Sequence, residues 1–505
     1  MKFIVIITDE ESQLAFNSQH ETWRGKLPSW RYFYEHGVTF TNHYTASCAC
    51  APSRASIYTG KLPHPNCTDY DDPNFHNVTS TNGFASDVFP ALHGRNMAEY
   101  FKAHGYTCHY FGKWHLDPEA VDADLQRRGW TGSPWSGPEP HGPELDLSGM
   151  IVDDKTLQSA CQVLDDTRNC DNIVYAVNFV NPHDINLYLK FKALGLLNNL
   201  VLPDIDVSCS DDCSKATWLE TMMTKYMQEE LYCNRELFDE YFDLTEYRRF
   251  YLYLCQLVDK HIMTLLSHIS PQTVIIRTSD HGSAYGTKGG LLGKWMTTDD
   301  RVIRVPLMMS NLPANIMLHH SLITKVSATS ASTSASTSTS ASTSASTSAS
   351  TEVEARVEAR VEARVEAGVE AGARAKVKDA IVARKQYQHL SSSIDLLPTM
   401  LGLAGISDYK LPGVNLFRRT RQYVDFITFD NPTSGEKQLR LYERHVLGDD
   451  MAEGLYRYSA IRFYGLHCRI TTADKYDSNS SQHNHKHKKV TTLLKANSSH
   501  LLSKL

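Results

Sequence analysis

The sequence predicts an α/β fold, with a mainly parallel central sheet flanked by helices and a small C-terminal α+β subdomain. Three apolar runs rich in β-branched residues, "FIVIITD", "NIVYAVNFV" and "TVIIRTSD", have the length and composition of buried strands and lead into polar residues. Two further segments, "RNMAEYFKAHGY" and "FYLYLCQLVDKHIMTLLSHI", have apolar residues at helical spacing. Strands that alternate with helices are typical of a parallel sheet covered on both faces.

The first predicted strand starts close to the amino end of the sequence. The residues from Ile4 to Ile7 are all β-branched, and the run ends at Asp9 and Glu10 without the small-residue cleavage site of a signal peptide. We therefore expect a cytoplasmic protein, with a secreted one as the alternative if the sequence has lost its natural start. No uninterrupted apolar window is long enough for a transmembrane helix, so no membrane partner is expected.

The composition sets further limits on function. The formal net charge is −6 over 505 residues, which is unlike the basic balance of a general nucleic-acid binder. The 11 cysteines are scattered, and the pair in "CSDDC" has no partner pair at zinc-site spacing. We expect reduced thiols and no nucleic-acid partner.

Residues 327–376 differ from the rest of the chain in composition. An Ala/Ser/Thr run is followed by the repeat "VEARVEARVEARVEAGVEAG". The first part has nothing to bury and is predicted to be disordered. In a helix the repeat would drift by about 40° every four residues, so its valines would form no fixed stripe, although a coiled coil is the alternative. We interpret the segment as a loop insertion.

Polar residues that follow two of the predicted strands suit a metal site. Asp9 and Glu10 follow the first strand, and Asp280 and His281 follow "TVIIRTS". The carboxyl ends of parallel strands lie at one edge of the sheet, where ligands gather. Carboxylates with one imidazole suit a divalent cation such as Ca²⁺, Mg²⁺ or Mn²⁺. The alternative is that these residues are separate helix caps and turn residues.

Five basic residues could act with such a cation to bind an anion. They are Arg54, Lys113, His115, His183 and Lys294. Lys113 and His115 are two residues apart in "FGKWHL", so both side chains point the same way if the chain is extended there. Each residue alone is ordinary, but with a metal the set describes a pocket for a tetrahedral oxyanion. The cations would neutralise its oxygens, and the histidines would move protons.

One motif gives a specific resemblance. The run "CAPSRASIYTG", residues 50–60, matches the sulfatase signature C-x-P-S-R followed by four residues and T-G. "GKWHL", "NPHD", "TSDHG" and "GK" follow it in sulfatase order. The chain therefore resembles the formylglycine-dependent sulfatases of the alkaline-phosphatase-like superfamily, in particular a bacterial-type arylsulfatase-like member. The resemblance runs from about residue 3 to about residue 420.

The resemblance implies a modified nucleophile at Cys50. In the family this cysteine is oxidised to Cα-formylglycine by a formylglycine-generating or equivalent sulfatase-modifying enzyme, which reads the positions of Pro52 and Arg54. Cys48 does not fit the motif. One hydroxyl of the hydrated aldehyde attacks sulfur, and the other later allows sulfate to leave and the aldehyde to re-form.

The resemblance also implies a role for each candidate residue. The metal ligands would be Asp9, Glu10, Asp280 and His281. Arg54 would stabilise the nucleophile, Lys113 and Lys294 would hold sulfate oxygens, His115 would be the base that collapses the adduct, and His183 would assist the leaving group. Many sulfatases have Asp at the position of Glu10 and Asn at that of His281. We expect Ca²⁺, with Mn²⁺ and Mg²⁺ open.

The expected function is hydrolysis of a sulfate monoester of a small molecule or carbohydrate. A phosphonate monoester or phosphodiester hydrolase with the same site is the first alternative, and a non-catalytic binder of sulfated glycans is the second. The expected organisation is a catalytic domain at 1–326, the insertion at 327–376, the rest of the catalytic domain at 377–420, and a C-terminal subdomain with a basic polar tail at 421–505.

Deletion of residues 327–376 is expected to leave activity and folding largely intact. The segment has little to bury, and loop length has a weak effect on the free energy of folding. Activity and thermal denaturation of the deletion variant test this. An insoluble or inactive variant would show that the segment belongs to the fold.

Overall fold

The structure, a computed structural model, has a large mixed sheet at its centre. It describes residues 1–13, 26–48, 50–62, 95–114, 116, 125–132, 149–204, 235–288, 290–294, 297–313, 316, 323–325, 385–430, 464–472 and 488–496. The strands of the large sheet are β1 (Lys2–Asp9), β2 (Gly37–Tyr44), β3 (Thr107–Gly112), β4 (Ile173–Pro182), β5 (Thr273–Ser279), β6 (Leu307–Ser310), β7 (Ile323–Lys325) and β8 (Lys385–Ser392).

The strand order of this sheet is β3-β4-β1-β5-β6-β2-β8-β7. β3, β4, β1 and β5 pair in parallel, and β2 pairs in parallel with β8. β6 runs antiparallel to both of its neighbours, and β7 runs antiparallel to β8. The prediction of a mainly parallel central sheet is confirmed.

Helices cover both faces of the sheet. They are α1 (Pro28–His36), α2 (Cys50–Thr59), α3 (Met97–Lys102), α4 (Gly149–Asp166), α5 (Tyr188–Ala193), α6 (Arg235–Tyr241), α7 (Leu244–Leu266), α8 (Asp300–Ile303) and α9 (Leu396–Leu403). Two segments predicted to be helical contain α3 and much of α7. α3 has an N-terminal capping box, in which Asn96 and Glu99 bond each other's backbone N–H groups.

Strand β1 separates two hydrophobic cores. Side chains along a strand point alternately to its two faces. Ile4 and Ile6 pack in one cluster with residues of α1, α4 and α7, whereas Val5 and Ile7 pack in another with residues of α2, α3 and α9. Every residue of β1 is buried, which explains why its stretch from Phe3 to Ile7 is continuously apolar rather than alternating.

A second, smaller sheet lies in the C-terminal region. It is antiparallel, in the order β11-β10-β9, with β9 at Tyr423–Asp430, β10 at Tyr464–Thr472 and β11 at Lys488–Ala496. Val424 and Phe426 of β9 pack with Tyr44 and Leu390 of the large sheet. The insertion at 327–376 and residues 431–463, 473–487 and 497–505 of the predicted subdomain lie outside the described residues, so the domain boundaries stay a prediction.

Among the described helices, none is both long and apolar enough to cross a membrane.

Candidate active site

The carboxyl ends of two adjacent parallel strands bring the predicted acidic residues together. Asp9 ends β1, Glu10 follows it, and Asp280 and His281 follow the neighbouring strand β5. The backbone N–H groups of Glu10 and His281 both donate to Asp280 Oδ1, at 3.2 and 2.8 Å. All four residues are fully buried. The two turns therefore form one unit at the edge of the sheet.

Cys50 lies against this unit. It is the first residue of α2 and is only 4% exposed. Its Sγ atom lies 3.2 Å from His281 Nε2, 3.4 Å from Lys294 Nζ and 3.7 Å from Asp9 Oδ1. Residues that are far apart in the sequence thus surround the sulfur.

The donor atoms at this edge suit a divalent cation. One atom each from Asp9, Cys50, Asp280 and His281 lies within 4.8 Å of the others, and the same holds for Asp9, Glu10 and His183. Glu10 Oε1 is buried without a hydrogen-bond partner. His281 Nδ1 lies 3.0 Å from the Gly282 carbonyl, to which it can donate, so Nε2 is the nitrogen on the side of the carboxylates that would bind a metal after losing its proton. Oxygen donors with one imidazole fit Ca²⁺ or Mn²⁺.

Arg54 holds the outer oxygens of two carboxylates. It is fully buried, with Nη2 2.9 Å from Asp9 Oδ2 and Nε 3.0 Å from Asp280 Oδ2. Its Nη1 donates to the Lys113 carbonyl and to Asn178 Oδ1, at 3.0 and 3.1 Å. The Oδ1 atoms of both aspartates are therefore left on the side of His281. Direct stabilisation of the nucleophile by Arg54 stays a prediction.

The two predicted lysines both reach the site. Lys113 follows β3, and its Nζ lies 2.8 Å from Asp9 Oδ2. Lys294 Nζ lies 2.8 Å from Glu10 Oε2 and 3.4 Å from Cys50 Sγ. Both lysines are buried, so their charges act close to Cys50 with little screening by water.

Of the two predicted catalytic histidines, His183 is among the described residues and lies at the site. His183 starts a 3-10 turn directly after β4, is half-buried, and has a ring nitrogen within 4.8 Å of carboxylate oxygens of Asp9 and Glu10. Asn186, from the same turn, donates to Glu10 Oε2 at 2.9 Å. His115 lies outside the described residues, so its role stays a prediction.

Comparison with known proteins identifies the family. A family model described as Sulfatase matches residues 2–315, which is more than half of the chain. The chain belongs to the sulfatase family. The family predicted from the Cys50 motif is thereby confirmed.

Individual relatives of this chain match over shorter stretches or at low identity. An ulvan-active sulfatase of Formosa agariphila is 33% identical over 108 residues, which are 19% of this chain and 18% of that protein. A solved structure from Bacteroides thetaiotaomicron, described as that of a sulfatase, has a TM-score of 0.55 at 16% identity and covers 93% of this chain and 82% of its own. A phosphonate monoester hydrolase of Silicibacter pomeroyi has a TM-score of 0.50 at 17% identity, with 98% and 89% covered. At these identities the two solved structures show the shared fold alone.

Burial shifts the pKa values of the charged groups around the two turns. It raises the pKa of Asp280 to about 7, and the neighbouring Asp9 carboxylate adds to the rise. Burial lowers the pKa of His281, but the Asp280 carboxylate and the Cys50 sulfur together outweigh it and raise that pKa to about 9. Two carboxylates this close resist joint ionisation, and a divalent cation between them would relieve the cost.

The basic groups lower the pKa of Cys50, whereas the pKa values of Asp280 and His281 are raised. Burial raises the pKa of the Cys50 thiol, but the cations around it, led by Lys113 and Lys294, outweigh burial and lower the pKa to about 6. The start of a helix also favours a negative charge on this residue. The position therefore suits an anionic group.

Several residues that support the site were not singled out in the sequence. Asn178 of β4 accepts from Arg54 and from the Tyr58 hydroxyl, the latter at 2.8 Å. Ser53 Oγ donates to the Asp280 carbonyl at 2.5 Å. A polar residue inside the apolar run "VYAVNFV" is the only local signal that could have indicated Asn178. Ser53 lies within the matched motif, but its partner depends on the tertiary fold.

Proposed function

We propose that this chain hydrolyses sulfate monoesters, converting ROSO₃⁻ and water into ROH and sulfate at Cys50. The observation that carries the proposal is the position of Cys50 Sγ, which lies 3.2 Å from His281 Nε2 and 3.4 Å from Lys294 Nζ. Buried carboxylates and lysines meet at the same point, as a tetrahedral anion and a divalent cation together require.

The metal would be held by Asp9, Glu10, Asp280 and His281. A bound Ca²⁺ or Mn²⁺ would supply a concentrated positive charge for the anionic ester and nucleophile. Arg54 supports this arrangement because it fixes Asp9 and Asp280 through their outer oxygens. Their Oδ1 atoms, which face His281, would then act as ligands.

Cys50 would serve after oxidation to formylglycine by a sulfatase-modifying enzyme. The hydrated aldehyde supplies one hydroxyl as the nucleophile. Deprotonation of its second hydroxyl then allows sulfate to be expelled and the aldehyde to re-form. The lysines around Cys50 favour an oxyanion at this residue, since they already lower the pKa of its thiol. Burial keeps bulk water away from the group.

The remaining residues would bind the ester and move protons. Lys294 and Lys113 would orient the sulfate oxygens, which requires that they exchange part of their present pairing with Glu10 and Asp9 for the anion. His183 would donate a proton to the leaving alcohol, consistent with its half-buried position beside the carboxylates. His115 would be the base that returns the adduct to the aldehyde.

Relative turnover of two esters tests the proposed reaction. We expect hydrolysis of nitrophenyl sulfate to exceed that of a phenyl phosphonate monoester, measured as kcat/KM on protein whose Cys50 has been oxidised. Turnover of the phosphonate alone would replace the proposal with the phosphonate monoester hydrolase, whose solved relative has the same fold. Binding of sulfated glycans without any turnover would favour the non-catalytic reading.

The alcohol part of the substrate would then be found with a panel of sulfated sugars, aryl sulfates and choline sulfate. Sulfated polysaccharide fragments belong in the panel because one relative is named an ulvan-active sulfatase. Carbohydrate sulfates are the class we propose first.

A further inference from the structure

Three buried charged residues, Glu11, Asp259 and Arg277, lie next to the turns that carry the proposed metal ligands and are called the charged layer below. Arg277 of β5 pairs through Nη2 with Glu11 Oε1 at 2.8 Å and through Nη1 with Asp259 Oδ1 at 3.1 Å. All three side chains are fully buried. None of these residues belongs to the sulfatase motifs or to the ligand set described above. Their role in the molecule is therefore open.

Glu11 connects this layer to both turns that carry metal ligands. Its carboxylate accepts from Thr8 Oγ1 at 2.6 Å and from Trp30 Nε1 at 3.0 Å. Its backbone N–H donates to Ser279 Oγ at 3.0 Å, and that oxygen lies 2.8 Å from the His281 carbonyl. Glu11 thus bridges the turn after β1 and the turn after β5.

Tyr251 of α7 makes a second connection to the same turn. Its hydroxyl donates to the Glu10 carbonyl at 2.8 Å and accepts from the Ser12 N–H at 2.9 Å. Glu10 has a φ of 74°, in the left-handed region that residues other than glycine seldom adopt. Such a conformation persists where the surroundings hold it, and here the Tyr251 hydroxyl and Asp280 Oδ1 bind the two sides of the residue.

A buried ion pair is weak support for stability, because desolvation of its charges offsets their attraction. These contacts are instead typical of residues that surround the ligands of a metal and fix the orientation of those ligands. We propose that Glu11, Arg277 and Tyr251 are positioning residues, which hold the Asp9–Glu10 and Asp280–His281 turns in the geometry that binds the metal. The contacts given above do not reach Cys50 or the lysines beside it. The inference rests on the proposed metal centre.

Calorimetric titration of Ca²⁺ into the full chain tests the proposal with two conservative variants. Tyr251→Phe removes one hydroxyl and retains the ring that stacks on Tyr285. Glu11→Gln keeps the shape of the side chain and removes its charge. We expect each to weaken Ca²⁺ binding about tenfold or more, as changes to outer-shell partners of metal ligands commonly do.

Tyr175→Phe is the matched control for Tyr251→Phe. Tyr175 is also buried, and its hydroxyl lies 2.6 Å from Thr167 Oγ1. It pairs with Ile4 near the start of β1, at the edge of the sheet opposite the site. We expect the control to bind Ca²⁺ as the parent does, while thermal denaturation without metal shows a similar loss of stability in the two variants.

Two results would overturn the proposal, and they are distinguishable. If the parent binds Ca²⁺ and both Tyr251→Phe and Glu11→Gln bind it equally well, the layer is only structural and the proposed function stands. If the parent binds neither Ca²⁺ nor Mn²⁺ nor Mg²⁺, the metal centre itself is wrong, and the positioning role falls with it.

Discussion

Cys50→Ala is expected to abolish turnover of nitrophenyl sulfate, with kcat/KM falling by about 10⁴-fold or more. The substitution removes the only atom that meets His281, Lys294 and Asp9 together in the described site. The cationic pocket and the proposed metal ligands stay in place, so the variant should still bind the anionic ester. Steady-state kinetics and a direct binding measurement on the same preparation separate loss of chemistry from loss of binding.

Cys48→Ala is the matched control for this experiment. Cys48 is buried like Cys50 and lies two residues away, but it is outside the sulfatase motif. Burial raises the pKa of its thiol well above the usual value, so the group is inert. We expect activity close to that of the parent and a stability loss of roughly 1 kcal/mol. Equal loss of activity in both variants would point to misfolding of this segment.

Mass spectrometry of the tryptic peptide that contains residue 50 provides the chemical test. Active protein should carry an aldehyde oxygen in place of the Cys50 sulfur, with a lower peptide mass. Active protein that contains thiol alone would contradict the formylglycine mechanism.

Removal of the divalent metal is expected to lower kcat/KM by about 10³-fold, because a metal supplies several kcal/mol of transition-state stabilisation. The reason in this chain is the closeness of Asp9 and Asp280, whose negative charges would face the anionic ester without the cation between them. Dialysis against a chelator followed by kinetics measures the loss. Addition of Ca²⁺ or Mn²⁺ in excess should restore the rate.

Stability provides an independent measurement of the same metal. A ligand that binds only the folded state at 100 times its Kd adds about 2.7 kcal/mol to the free energy of unfolding. The melting temperature should therefore fall on chelation and rise again with the metal that restores activity. Unchanged activity and melting temperature after complete metal removal would refute the metal centre.

The sequence was most informative where a strand leads directly into chemistry. Asp9 follows a run of buried residues in β1, and Asp280 follows another in β5, so their meeting at one edge could be predicted from the parallel sheet. The motif at Cys50 identified the family from local spacing alone. Both features are recognised from residues that lie close together in the sequence, so a single sequence is enough to predict them.

The supporting residues could not be predicted, because their partners are set by tertiary packing. Arg277 sits inside the predicted strand "TVIIRTSD", and nothing near it in sequence indicates the Asp259 and Glu11 carboxylates that neutralise it. Tyr251 is one aromatic among many in α7, and only the packing of that helix against the sheet directs its hydroxyl to Glu10. Strand β6 is four residues long, and its antiparallel direction has no local signature.

The burial of α2 has a consequence for the order of events during biosynthesis. Pro52 and Arg54, the residues that a sulfatase-modifying enzyme would read, are buried in the folded protein, and Cys50 is only 4% exposed. The oxidation we propose must therefore precede the closure of the sheet around this segment. Protein made in a host without the modifying enzyme would fold into a stable but inactive form, and later addition of that enzyme would not activate it unless the chain was first unfolded.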